Sequence, residues 1–207
     1  MKKETVEKIL CEIRNCKDGC YRKWSGDGTP LSDGSSAAKI LIVSQDPSEN
    51  AWSKGILFSD KNETAIQLAG EVLGIDWKDF NPRHICWTHV ANCDTGKRGK
   101  NDRRPTNSKC AKKYLIRLID ALKPEFTLIM GSSALQFLQH DRKLRITDCV
   151  GKKVKILGRY CGIPILHTSR QNVPLQNNPE LQERQKKAII EIKKIVRKLL
   201  GRRKSND

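Results

Sequence analysis

The chain has 207 residues and sets 40 Lys+Arg against 23 Asp+Glu, a formal net charge of +17, with 37% hydrophobic residues. That is apolar material for one core rather than two, so one domain is expected over residues 1–200, with a disordered basic tail at 201–207. No apolar run is long enough to span a membrane, which excludes a membrane span, and Met1-Lys2-Lys3-Glu4 leads into an amphipathic stretch rather than an apolar leader, which predicts an intracellular, cytoplasmic protein.

Residues 3–15 place Val6, Ile9, Leu10 and Ile13 at helical spacing. Cys16 and Cys20 follow, then a Gly/Ser/Asp/Pro-rich loop from Ser25 to Ser36, closing an N-terminal segment at residues 1–36. Lys39 to Val43 reads as a buried parallel strand that opens the core at residues 37–175. Thr64 to Leu73 is helix-like and Gly74 terminates it. Ile85 to Val90 is a second strand, followed by a basic loop from Asp94 to Asn107. Ser108 to Leu122 reads as a helix closed by Lys123-Pro124, Phe126 to Met130 as a third strand, and Gly131-Ser132-Ser133 as the start of another helix. Ile163 to Leu166 is a fourth strand. From Glu180 to Leu200, Leu181, Ala188, Ile189, Ile192, Ile195, Val196 and Leu199 form an apolar stripe under a Lys/Arg-rich face, the helix at 179–200. Helices alternating with short apolar strands predict an α/β fold: a central four-stranded parallel sheet flanked by helices on both faces.

Ligands of such a sheet bind at the carboxyl ends of its strands. The first strand runs into Ser44-Gln45-Asp46-Pro47-Ser48, with Gly55-Ile56-Leu57-Phe58-Ser59 shortly after, and the fourth runs into His167-Thr168-Ser169. These residues resemble the uracil-DNA glycosylase superfamily. The first segment is similar to the GQDPY motif of its cofactor-free branch, whose aspartate positions the attacking water. The second is similar to the segment whose phenylalanine stacks on the extruded base. His167-Thr168-Ser169 matches the HPS motif with threonine for proline. The cysteines resemble the iron–sulfur, family-4-like branch, which carries a close N-terminal pair, a third cysteine ending the second-strand motif and a fourth one long loop later.

The resemblance implies a DNA glycosylase that flips a nucleotide out of the duplex and hydrolyses its glycosidic bond, starting base excision repair. Asp46 would orient water and stabilise the cationic sugar; alone, Asp-Pro is equally a turn or a helix cap. His167 would donate to the base carbonyl; alone, it is a strand-end histidine. Phe58 would stack on the base, although a Phe after Gly-Ile-Leu is otherwise core. Gln45 joins the base contacts. The asparagine that reads uracil in relatives falls on His89 when Trp87 to Cys93 is aligned by its cysteine, with Asn92 three residues later. That departure, and Ser48 in place of the aromatic that excludes thymine's methyl, predict a roomier pocket. It would take uracil first, then hypoxanthine, xanthine or mismatched thymine. Ser48, Ser169, Arg170, Gln171 and Asn172 are the expected DNA contacts, the last three in the loop that fills the vacated space, or else solvated loop residues. The basic loop Lys97 to Arg104 tracks phosphates or is a solvated face.

Eight cysteines in an intracellular protein argue for metal ligands rather than a disulfide framework. Cys16-x3-Cys20 and Cys93-x16-Cys110 supply four thiolates, which suit a [4Fe–4S] cluster or a structural zinc. Spacing leaves both open; the resemblance implies iron–sulfur. Its usual first pair is one residue tighter, which makes Cys11 a substitute ligand. Cys86, Cys149 and Cys161 read as buried thiols. A zinc base deaminase is excluded, because neither His-x-Glu nor Pro-Cys-x-x-Cys occurs. No lysine lies in the two pocket motifs, which argues against a lyase. The competing reading is a non-catalytic iron–sulfur DNA-binding or damage-sensing protein on the same fold. The expected partner is DNA with a damaged or deaminated base, met by a monomer away from any membrane.

Overall fold

A computed structural model describes residues 4–18, 29–58, 63–93, 108–167 and 177–201. Its centre is β1 (Ile40–Ser44), every residue of which is buried. A strand apolar on both faces must be covered on both, and parallel pairing with helical crossovers does this. β1 lies between β2 (Ile85–His89) and β3 (Phe126–Met130), parallel to both, with Ser44 level with His89. β3 pairs in parallel with β5 (Tyr160–Ile165). The four expected strands are therefore present and parallel, in the order β2-β1-β3-β5.

A fifth strand, absent from the expectation, extends the sheet. β4 (Val154–Ile156) pairs antiparallel with β5 at the edge. Its turn places Leu157 at φ 49° and Gly158 at φ 71°, the left-handed pair of a tight hairpin. The hairpin also corrects the reading of Cys161, which is exposed, whereas Cys86 and Cys149 are buried.

Alternation along the strands divides the core between two faces. Leu41, Val43, Cys86, Ile129 and Ile156 face one layer, with α1 (Val6–Arg14) and the long helix that closes at Leu122. Ile40, Ile42, Ile85, Trp87, Leu128, Met130, Ile163 and Ile165 face the other, which the C-terminal helix covers. Thr5 caps α1 by accepting from Lys8 N at 3.2 Å, and Val6, Ile9, Leu10 and Ile13 are its buried stripe, as the spacing predicts.

Beyond β1, a short helix, α2 (Glu49–Lys54), was not anticipated. α3 (Glu63–Gln67) runs on through a π-wound turn, Leu68–Leu73, to Gly74 in the left-handed region. α4 is a rod in three pieces: Ser108–Cys110, a π-wound turn Ala111–Leu115, and Ile116–Leu122. α5 (Ser132–Leu138) and α6 (Ile146–Cys149) follow β3. α7 (Pro179–Leu199) has Asn178 as its cap, accepting from Leu181 N at 3.0 Å, and Pro179 at its first position. No described helix is long and apolar enough to cross a membrane.

The outer edge of β2 is covered by the segment before β1. Asp33 and Trp87 exchange backbone hydrogen bonds of 2.9 and 2.7 Å, and Leu31 N donates to the Asn92 carbonyl. The close approach puts Gly34 against Cys86, where an added Cβ would lie 2.7 Å from both Cβ and Sγ. Gly34→Ala is expected to destabilise the fold by about 1–3 kcal/mol through overpacking. Gly70→Ala, in the π-wound turn with nothing within 4 Å of the new methyl, is expected to stabilise it by about 0.5–1 kcal/mol. Urea unfolding of both variants checks the pair.

Candidate active site

Polar residues collect where the strands end. Ser44, the last residue of β1, is 1% exposed. The ladder continues past it: Val90 N donates to the Ser44 carbonyl and Ala91 N to the Gln45 carbonyl, each at 2.9 Å. The exits of β1 and β2 therefore run side by side. The Gln45 side chain accepts from Ser133 Oγ at 2.9 Å, which turns its amide oxygen toward α5. Asp46 follows, half-buried. Ser48 is exposed and accepts from Ala51 N at 3.2 Å, capping α2.

β5 delivers His167. The preceding residue, Leu166, donates its backbone N–H to Gln185 Oε1 of α7 at 3.2 Å. Burial pushes the His167 imidazole below its ordinary pKa, and the Asp46 carboxylate partly opposes the shift. These two groups, from the ends of β1 and β5, thus stand within electrostatic reach.

His89, the last residue of β2, is 1% exposed. Its Nδ1 lies 2.6 Å from Ser44 Oγ, and Ser44 Oγ also accepts from Trp87 Nε1 at 3.3 Å. Burial first, then the neighbouring His167, push the His89 pKa down to about 3. Its Nε2 is buried with no hydrogen-bond partner among the described residues. Asp46, His89 and His167 thus converge from three strand ends. Phe58 borders them, its ring 5.0 Å from Phe80 and 6.0 Å from Trp87, which is itself 6.0 Å from His89.

Asn92 is buried and turned to the cysteines. Its Oδ1 accepts from His89 N and Thr88 Oγ1, both at 3.3 Å, and its Nδ2 donates to Cys110 Sγ at 3.5 Å. Cys16 lies by Tyr114, one helical turn beyond Cys110, whose hydroxyl burial and a hydrogen bond with Cys16 push up to about 12. Cys93 follows Asn92 directly. Among the described residues no three His, Cys, Asp or Glu group closely enough to hold a metal ion. Cys20 lies outside the described residues, as do Ser169, Arg170, Gln171, Asn172 and the basic loop at 97–104. Cys11 is exposed on α1, where Asn15 Nδ2 donates to its Sγ at 3.4 Å.

Three contributors escaped the sequence reading. The Ser44 hydroxyl and the Trp87 indole reach His89 only through strand pairing. Gln185 left a weak signal, a polar residue in line with Leu181, Ala188 and Ile192 on the buried stripe of α7.

Comparison with known proteins gives the family. The family model described as the uracil DNA glycosylase superfamily matches residues 31–191. A type-4 uracil-DNA glycosylase of Thermotoga maritima is 26% identical over 173 residues, covering 81% of this chain and 83% of the relative. One of Archaeoglobus fulgidus is 26% identical over 180 residues, covering 79% and 84%.

The buried imidazole of His89 has a measurable consequence. Its pKa is about 3 in the fold against an ordinary 6.5, so below pH 6.5 the unfolded chain binds a proton that the folded chain refuses. Stability is therefore lost as pH falls from 6.5 toward 3, by roughly 2 kcal/mol at about pH 5. His89→Asn is expected to lose about 2 kcal/mol less than the parent between about pH 7.5 and about pH 5 in urea unfolding. Equal losses would contradict a neutral buried ring.

Proposed function

The chain belongs to the uracil DNA glycosylase superfamily, and from that premise we propose that it excises uracil from DNA by hydrolysing the bond between base and sugar. The observation that carries this reading is the convergence of Asp46 and His167, an imidazole from the end of β5 whose charge feels the carboxylate at the end of β1. Cleavage leaves positive charge on the sugar and negative charge on the departing base. Asp46 meets the first, orienting water toward the anomeric carbon and stabilising the cationic sugar. His167, held neutral by burial, meets the second as a hydrogen-bond donor to the base carbonyl. Water is the nucleophile, so the enzyme is monofunctional.

Flipping the nucleotide requires a pocket with a flat apolar wall and a polar reader. Phe58 supplies the wall, continuous with Phe80 and Trp87, and His89 reads the base edge. Gln45 lines the motif loop beside α5. Asn92 acts from behind His89 and toward Cys110 rather than on the base. Ser48, at the exposed start of α2, faces the DNA backbone. Ser169, Arg170, Gln171 and Asn172 follow His167 directly in the chain, and DNA contact is assigned to them on that position.

Cys16, Cys20, Cys93 and Cys110 would hold a [4Fe–4S] cluster. Two observations support the fit: Cys110 Sγ already accepts an amide N–H from Asn92, as cluster sulfurs do, and Cys16 lies beside Tyr114, the residue one helical turn along from Cys110. When bound, the cluster would staple the N-terminal segment and the loop at 94–107 to the body of the protein.

Asp46→Asn is expected to lower uracil release by about 10²–10⁴-fold while leaving DNA affinity unchanged. Alkali cleavage of abasic sites in a uracil oligonucleotide measures the first and gel shift the second; equal release by the variant would remove Asp46 from the chemistry. Anaerobically purified protein is expected to carry iron and acid-labile sulfide with visible absorption, both lost in Cys110→Ser. Colourless protein with stoichiometric zinc would replace the cluster by zinc.

A further inference from the structure

On the reading of this site as a base-excision pocket, we propose that Ser44, its hydroxyl oxygen held by Trp87, locks His89 as a one-way hydrogen-bond donor. The locked ring would select the 4-carbonyl of a deaminated pyrimidine over the amino group of its parent. Proton counting fixes the direction of the bond. A serine hydroxyl has one proton to give and two lone pairs to accept with, and an indole N–H only gives. Trp87 Nε1 occupies one lone pair of Ser44 Oγ at 3.3 Å. The hydroxyl proton needs an acceptor, since Ser44 is 1% exposed and a buried donor left unpaired is costly. Of its two side-chain partners only His89 Nδ1, at 2.6 Å, can accept. The lone pair of the imidazole is therefore on Nδ1 and its single proton on Nε2.

Nε2 is the atom that is buried without a partner among the described residues. The groups around the ring leave it so. Ser44 and Trp87 engage the Nδ1 side, Asn92 Oδ1 is taken by His89 N and Thr88 Oγ1, and His167 from the end of β5, itself under the influence of Asp46, acts on the ring through charge. The low pKa keeps a second proton off. What the ring shows to a base is one N–H and no acceptor.

Uracil and cytosine differ at this edge in sign. The carbonyl of uracil accepts, whereas the amino group of cytosine only donates and would face the Nε2–H donor to donor. An asparagine amide at this position could give and accept at once, and would read the neighbouring ring N–H as well. The locked imidazole reads the carbonyl alone. Trp87 and Ser44 are positioning residues in this scheme, because they never touch the base.

Nitrogen-15 histidine spectra of the full chain report which ring nitrogen carries the proton. The parent is expected to show His89 as the Nε2–H tautomer. Ser44→Ala removes the proton that Nδ1 accepts and is expected to populate the Nδ1–H form, whereas Trp87→Phe leaves the Ser44 hydroxyl with His89 as its side-chain acceptor and is expected to keep the Nε2–H form. In Ser44→Ala, release of uracil should fall about tenfold, and preference for a non-hydrolysable uracil over a cytosine nucleotide in otherwise identical oligonucleotides should narrow. Adding His89→Asn to Ser44→Ala should restore that preference, since an amide needs no lock. An Nδ1–H parent overturns the proposal. So does an unchanged tautomer, or an unchanged preference, in a Ser44→Ala protein that unfolds like the parent. Should the parent release no base at all, the excision reading fails on its own. The spectra and the binding preference would still decide the lock.

Discussion

A strand buried on both faces has room for polar chemistry only where it ends, and β1 is such a strand. Its four apolar residues hold the two halves of the core together, and its fifth, Ser44, is the first polar side chain the sheet offers. Register does the rest. Because Ser44 lies level with His89, the first polar side chain of β1 meets the last residue of β2. The ladder then continues for two more hydrogen bonds into Gln45 and Ala91. β5 ends one strand further on, beyond β3, and adds His167. The site is the boundary at which the core runs out.

The same constraint explains what could be read in the sequence. β1, β2, β3 and β5 are short, mostly apolar runs, and their order with the intervening helices implies the parallel sheet. The positions of Asp46 and His167 beyond strand ends followed from such runs, and the roles expected of them from the resemblance. β4 was not legible, since Val154-Lys155-Ile156 is too short to show a pattern. Its turn also uses Leu157 with φ positive, where Asn or Asp would have signalled a hairpin. Ser48 carried two meanings, a DNA contact and a helix cap, and α2 is too short for periodicity to show the second. The contact of Ser44 with His89 spans 45 residues and exists only because β1 and β2 are neighbours, which no local pattern reports.

Asn92 joins two parts of the molecule that were read separately. One end of its amide holds the backbone of His89, and the other touches Cys110. The cysteine region and the base pocket are therefore built on one side chain, and a disturbance at Cys110 has a short path to the exit of β2. Of the net +17, α7 carries +4, seven Lys/Arg against three Glu, and on its surface Lys187 pairs with Glu183 and Lys153 with Glu191 at solvent-accessible positions. Such pairs contribute little to stability.

The hydrogen bond from Leu166 to Gln185 has a bearing on the order in which the molecule becomes competent. The ribosome delivers Asp46 early, His89 next and His167 well before α7, yet the backbone that aims His167 is tied by a residue synthesised after all of them. Arg184, beside it, holds the Thr147 and Val150 carbonyls at 2.9 and 3.1 Å, so docking of this helix is cooperative. A nascent chain can thus hold Asp46, His89 and His167 and still lack the helix that ties the backbone before His167. The arrangement at the strand ends is complete only when the last helix docks.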